Sequence, residues 1–369
     1  MSRLYAAEFV FPGHPDKLCD AIADSLVLEA HSREPRALVG VEVAVHRNRV
    51  FVTGRIACKD AATIDVEQIV RKVYESAGYS DGWYPQAAEV VVQADLCLGP
   101  LEEGEAEFRE LSDDQAICMG YANSLSQTNH LPVEHWLAGR LARRLHALRA
   151  QIPGLDLGPD GKVLVLVRED AATWSLEAFS CSLQQRARAD DVALHRAVRL
   201  AVGEELQRLS AQLAGLSAAL PQHLTVNGAG AFEVGGPEGD NGLSGKKLVT
   251  DAYGPRVPIG GGAWSGKDFF KADRAGGLHA RRLAKLVVQL GLAPEAIVTL
   301  GWFPGDREAR VVRIETPSGH SASLDQIAGC MDLTLARSGE QFPVDELVEV
   351  ARWGHFEKSD YPWEKIGRI

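Results

Sequence analysis

The sequence predicts a mixed α/β (α+β) protein built from three consecutive blocks of strands and helices. Strand-like and helix-periodic runs alternate along the whole chain. At 369 residues, the chain can bury a large core or several subdomains. Its 46% hydrophobic and 24% charged content is ordinary for a soluble globular protein.

The blocks divide at about residues 1–122, 123–225 and 226–369. In the first, Leu18, Ile22 and Leu26 recur every four residues after Pro15, a residue suited to a helix's first turn. Ala37–Val45 and Val50–Ile56 read as a hairpin turning at His46-Arg47-Asn48, and Glu89–Gln93 as a further strand. The acidic stretch 94–112, which contains Gly and Pro, reads as a mobile loop. Leu137, Leu141, Leu145 and Leu148 mark a helix. A strand at Val163–Val167 and an amphipathic helix carrying Leu194, Val198, Val202, Leu206 and Leu209 follow. The third block holds a glycine-rich region, a helix near Gly277–Leu292, and strands near Ile297–Gly301 and Arg310–Thr316. The sequence has no clean repeat and no obvious linker.

Composition narrows the function. A net charge of −11 argues against general nucleic-acid binding, which wants a basic face. No apolar run is long enough to span a bilayer, and the opening residues lack a secretory core. Six scattered cysteines without a C-x-x-C pair suit the reducing cytoplasm. No H-E-x-x-H zinc motif occurs.

The most informative stretch is Gly235-Gly236-Pro237-Glu238-Gly239-Asp240-Asn241-Gly242-Leu243-Ser244-Gly245-Lys246-Lys247. After it come Gly260-Gly261-Gly262-Ala263-Trp264-Ser265-Gly266-Lys267-Asp268 and Lys271-Ala272-Asp273-Arg274. Glycines allow backbone N–H groups to approach a ligand, and Lys246, Lys247, Lys267 and Lys271 supply positive charge. Asp240 and Asp273 can hold a metal or order the lysines. On an acidic chain, this set suits a strongly anionic ligand such as a polyphosphate. Gly261-x4-Gly266-Lys267 mimics a P-loop, but Asp268 replaces the required Ser or Thr and Pro258 interrupts the preceding strand.

Together with Gly13-His14-Pro15-Asp16-Lys17, these segments resemble the methionine adenosyltransferase (S-adenosylmethionine synthetase) family. Further ordered matches are Asp114-Gln115 with Gly120-Tyr121-Ala122, Pro159-Asp160-Gly161-Lys162, Ser182-Leu183-Gln184, Trp353-Gly354-His355-Phe356 and Pro362-Trp363-Glu364-Lys365. The resemblance covers almost the whole chain. It implies three similar subdomains around a pseudo-threefold axis and a homodimer or homotetramer with active sites between subunits. It also implies Mg²⁺, two ions per site, and K⁺.

The implied reaction joins methionine sulfur to C5′ of ATP, then cleaves the expelled triphosphate. The resemblance places His14 at the ribose–triphosphate junction, Lys162, Lys246, Lys247 and Lys267 on phosphates, and Phe232 on adenine. Glu8, Asp160 and Ala263 join the nucleotide site. Asp16 and Asp273 would hold Mg²⁺, and Glu42 falls at the K⁺ position. Asp240 and Asp114 would face the amino end of the acceptor, and Lys271 its carboxylate. Each residue also has a plainer reading. His14 could be a helix cap, Asp16 and Asp20 a solvated helix face, Asp273-Arg274 a surface pair, Phe232 core, Lys162 a turn lysine, and Glu42 an edge residue.

Departures gather at the acceptor end. Where the family reads G-G-E-I-T, this chain reads Thr53-Gly54-Arg55-Ile56-Ala57. Arg55 thus reverses the charge of the acid that faces the methionine amino group. The family's Q-S-P-D-I has no counterpart in 93–99, and Gly301-Trp302-Phe303-Pro304-Gly305 also departs. The acceptor is therefore methionine or a modified thioether whose acid Arg55 would pair, with Arg55 in solvent as the plainer reading. A silent regulatory paralogue and a tripolyphosphatase are the rival functions.

Overall fold

A computed structural model provides the fold. It describes residues 2–366 apart from Asp81 and residues 187–189 and 321–325.

Three four-stranded sheets form the framework, and each borrows a strand from a distant part of the chain. Strand β1 is Arg3–Val10, β2 Leu38–His46, β3 Arg49–Ala57, β4 Val91–Gly99 and β5 Ala116–Asn123. They are followed by β6 (Leu157–Asp170), β7 (Thr173–Gln185), β8 (His223–Val226), β9 (Gly242–Leu243), β10 (Glu295–Trp302), β11 (Arg310–Thr316) and β12 (Gly319–His320). The sheets are ordered β1-β6-β7-β8, β4-β3-β2-β9 and β12-β11-β10-β5. Thus β1 crosses to the central sheet, β5 to the last, and the glycine-rich β9 returns to the first.

Long helices back all three sheets. Helix α1 (Pro15–Arg33) packs on β2, and the amphipathic α2 (Val66–Ala77) packs on α1. After the single turn α3 (Glu105–Phe108), helix α4 (Val133–Gln151) covers β1 and β6, with α5 (Asp191–Ser210) behind it. Turns α6 (Gly236–Gly239) and α7 (Leu248–Asp251) punctuate the glycine-rich region before α8 (Ala272–Gln289). Helix α8 lies on β5 and β10. The four-residue spacing of Leu18, Ile22 and Leu26 buries all three side chains, as do the leucines of α4 and the apolar stripe of α5.

Several strands escape the sequence reading, among them β1, β5, β7 and β8. Strand β1 reads Arg-Leu-Tyr-Ala-Ala-Glu-Phe-Val, and its central Ala6-Ala7-Glu8 has little strand preference. In β7 the buried alternation Trp174, Leu176 changes phase to Phe179, Cys181, Leu183, because a bulge shifts the register opposite Leu166/Val167. The loop expected at 94–112 is corrected. Residues Ala94–Gly99 complete β4, parallel to β3, and α3 follows. Arg109 is buried, reaching Asp268 and the Ala37 carbonyl, so this segment is strapped to the domain.

The C-terminal segment is locked in by charge. Arg281 on α8 donates to Glu364 through Nε and Nη2, both 2.9 Å, and Lys285 Nζ lies 2.9 Å from the same carboxylate. Arg281 also caps the carbonyls of Tyr121 and Asn129, at 2.6 and 2.5 Å. Burial pushes the Glu364 carboxyl upward, but Arg281 and Lys285 outweigh it and hold it below its ordinary range.

Candidate active site

Helix α1 organises the site. Pro15 opens it with φ already set, and His14 is its N-cap, the imidazole Nδ1 accepting from the Asp16 N–H at 3.2 Å. Because Nδ1 accepts, the neutral ring carries its proton on Nε2. Burial lowers the His14 pKa to about 4, with Asp16 opposing and Lys247 and Lys162 reinforcing. His14 is therefore both a cap and a neutral N–H donor at neutral pH.

His14 lines a cavity of about 370 Å³ with Asp160, Lys162, Ser182, Phe232 and Asp240. These come from the start of α1, the β6–β7 pair and the loop before β9, which the sheet crossings bring together. Lys162 lies on β6 and pairs with Glu8 on β1 at 2.6 Å, so the turn-lysine reading is corrected. Phe232 is half-buried in the cavity wall, not in the core. Asp160 is buried and accepts from the Gly236 N–H at 2.8 Å. Burial raises its pKa to about 6, against the pull of the Gly236 and Gly161 amides.

The solvated-face reading of Asp16 and Asp20 is also corrected, since both are buried. Asp16 Oδ1 accepts from Leu243 N–H at 3.0 Å, while Lys247 lies 2.8 Å from Oδ2 and Lys246 3.7 Å from Oδ1. Burial would raise the Asp16 carboxyl, but Lys247 and the Leu243 amide hold it below its usual range. One turn on, Asp20 accepts from Gly245 N–H at 2.8 Å. A further turn on, Asp24 accepts from Gly266 N–H at 2.8 Å and takes Arg274 bidentately at 2.9 and 2.6 Å. Arg274 is thus buried and not part of a surface pair, and Asp273 turns instead to Lys267 at 2.5 Å. Sequence reasoning missed the roles of Asp20, Asp24 and Arg274. The i, i+4, i+8 spacing of Asp16, Asp20 and Asp24 was the available signal.

These contacts narrow one expectation about the glycine-rich loops. The N–H groups of Gly236, Leu243, Gly245 and Gly266 point at carboxylates. Those of Ser244, Lys246, Gly261 and Lys267 point at backbone carbonyls. These N–H groups therefore brace the loops inward and are not available to an anion, whereas the lysine side chains still carry positive charge.

A second cavity, about 610 Å³, is lined by Asp114, Gly262, Lys267, Asp273, Trp302 and Phe303 among others. Within one chain, then, His14, Asp160, Lys162, Phe232 and Asp240 line one cavity and Asp114, Lys267 and Asp273 the other, while Lys246, Lys247 and Lys271 line neither. Ala263 packs against Gly245 and ties the two loops together.

Comparison with known proteins agrees with the motifs. The family described as S-adenosylmethionine synthetase, N-terminal domain, matches residues 2–96, and its C-terminal domain matches residues 234–365. The S-adenosylmethionine synthase of Thermosynechococcus vestitus is 32% identical, over 100% of this chain and 97% of the relative. That of Corynebacterium jeikeium is also 32% identical, over 100% and 96%, and that of Deinococcus radiodurans 31%, over 99% and 96%.

The chain belongs to the S-adenosylmethionine synthetase family. Its members are transferases, and no helix among the described residues is long and apolar enough to cross a membrane.

Arg55 is the sharpest departure from the family motifs. Both arms of its guanidinium are taken by Glu105 of the strap, at 2.7 and 2.9 Å, with Glu102 at 3.5 Å. Its side chain is 38% exposed, so it is ion-paired within the chain while still facing solvent in part. The pair is partly exposed, so Arg55→Ala is expected to change stability by less than about 1 kcal/mol in urea titration. Lys271 is paired with Asp113, next to Asp114, and Glu42 accepts from the Ser244 hydroxyl at 2.5 Å.

His14 gives a pH prediction. The folded protein binds its proton only near pH 4, whereas the unfolded chain binds it near 6.5. Its contribution to stability is full above 6.5 and is lost as the pH falls through about 4. The stability gap between wild type and His14→Asn should therefore narrow on acidification, as read by urea titrations at pH 7.5 and 4.5.

Proposed function

We propose that this protein makes S-adenosylmethionine from methionine and ATP, in the cytoplasm. The observation that carries this reading is the convergence of His14, Asp160, Lys162, Phe232 and Asp240, from three distant segments, on one cavity, with the Asp16–Lys247 pair beside His14.

The sulfur attacks C5′, the C5′–O bond breaks, and its electrons leave with the triphosphate. A thioether needs no base, so the barrier lies in the charge that grows on the leaving oxygen. His14 Nε2–H donates to that oxygen, and Lys162, Lys246, Lys247 and Lys267 neutralise the phosphates. Phe232 stacks on adenine, beside Glu8 and Ala263. Asp240 and Asp114 face the acceptor's amino group, and Lys271 its carboxylate. Water then cleaves the tripolyphosphate to phosphate and diphosphate on the same lysines.

Among the described residues, no three or more acidic, His or Cys side chains form a cluster able to hold a metal. Single carboxylates suit Mg²⁺, which takes most of its ligands from water and phosphate. Asp16 and Asp273, both beside phosphate-site lysines, fit that pattern. The ion would add positive charge to the leaving chain. Glu42 remains the residue for K⁺.

The site is completed by a second copy of the chain. In support, Asp114, Lys267 and Asp273 line a different cavity from His14 and Lys162, and Ile117, Phe303 and Val312 expose apolar surface around it. Because Glu105 already fills the Arg55 fork, the case for an acceptor with an additional acid loses its main support.

Mass spectrometry of the protein with ATP, Mg²⁺, K⁺ and L-methionine tests the proposal. A sulfonium product supports it. Hydrolysis of tripolyphosphate without sulfonium would overturn it in favour of the phosphatase, and the absence of both would favour the silent paralogue.

A further inference from the structure

We propose that Asp20 and Asp24 are positioning residues that set the spacing of the lysine-bearing loops without touching the ligand. The inference rests on the reading above only for the identity of that ligand.

Asp16, Asp20 and Asp24 stand on one face of α1, each about 6 Å further along the axis. Each receives a backbone N–H from a loop remote in sequence. Leu243 and Gly245 belong to the loop that carries Lys246 and Lys247, and Gly266 immediately precedes Lys267. The helix thus holds both loops at fixed distances along a rigid rod.

The lower two rungs are fully buried and locked from behind. Asp20 is held by Lys17 Nζ at 3.0 Å, and Lys17 also pairs with Asp251. Asp24 is held by the two arms of Arg274. The loops are shaped to fit. Gly245 and Gly266 have φ of 71° and 84°, and a Cβ on Gly266 would sit 2.2 Å from the Val41 carbonyl oxygen. Flexible lysines such as Lys246, Lys247 and Lys267 can each be aimed at a phosphate only if the backbone that carries them is fixed. A loop error near 1 Å is enough to cost on the order of 100-fold in rate.

Asp20 is the rung to test, because Lys17 keeps Asp251 when Asp20 is removed. In the wild type, the Gly245 and Gly266 amides should exchange hydrogen as slowly as the core of α1; exchange at loop rates would overturn the proposal without any variant. In Asp20→Ala, Gly245 exchange should rise at least about tenfold and Gly266 should stay within about twofold. The kcat per folded molecule should fall about 10- to 100-fold with KM for ATP within about threefold. Asp20→Asn, which keeps an acceptor oxygen, should recover most of that loss. A fall in Tm with kcat unchanged would show a merely structural role and overturn the proposal. Should the protein form no sulfonium, titration with inorganic tripolyphosphate replaces kcat. Weaker binding in Asp20→Ala than in Asp20→Asn supports the positioning role, and equal binding overturns it.

Discussion

His14→Asn should lower kcat about 10²- to 10³-fold while leaving the protein folded. Asparagine is itself a good N-cap, so the helix start survives and the Asp16 N–H keeps an acceptor. What is lost is an Nε2–H donor reaching into the cavity, and removing one donor aimed at developing charge has an effect of this size. KM for ATP should change much less than kcat, because the interaction strengthens only as the leaving oxygen charges. Steady-state kinetics at saturating methionine would check this. A kcat within threefold of wild type would remove His14 from the chemistry and leave it as a cap.

Glu364→Ala should destabilise the fold by about 3–5 kcal/mol, the usual cost of removing one partner from a buried ion pair. Both Arg281 and Lys285 would lose their carboxylate, and Asn129 Nδ2, 2.8 Å from it, would lose an acceptor. The effect should reach beyond the C-terminus, because Arg281 also holds the Tyr121 and Asn129 carbonyls at the end of β5. Urea unfolding would measure it. A change below about 1 kcal/mol would mean that the segment contributes little to the fold.

The sequence by itself determined the family, the α/β class and the long helices. Ordered motifs identify chemistry regardless of where they sit in space, and a helix records its buried face at a local spacing of three and four residues, as Leu18, Ile22 and Leu26 do. Only the tertiary structure decided which sheet each strand joined, since the partners of β1, β5 and β9 lie far away in the chain. It also decided the direction of the glycine N–H groups. Glycine permits a backbone to turn either toward a ligand or toward a carboxylate, and the residues that settle the matter, Asp20 and Asp24, lie more than two hundred positions earlier. The same holds for Arg55. Its charge reversal is plain in the sequence, but its meaning depends on Glu105, brought within reach when β4 pairs with β3 and the chain folds back as a strap. Charge is a property of a residue, whereas its availability depends on what packs beside it.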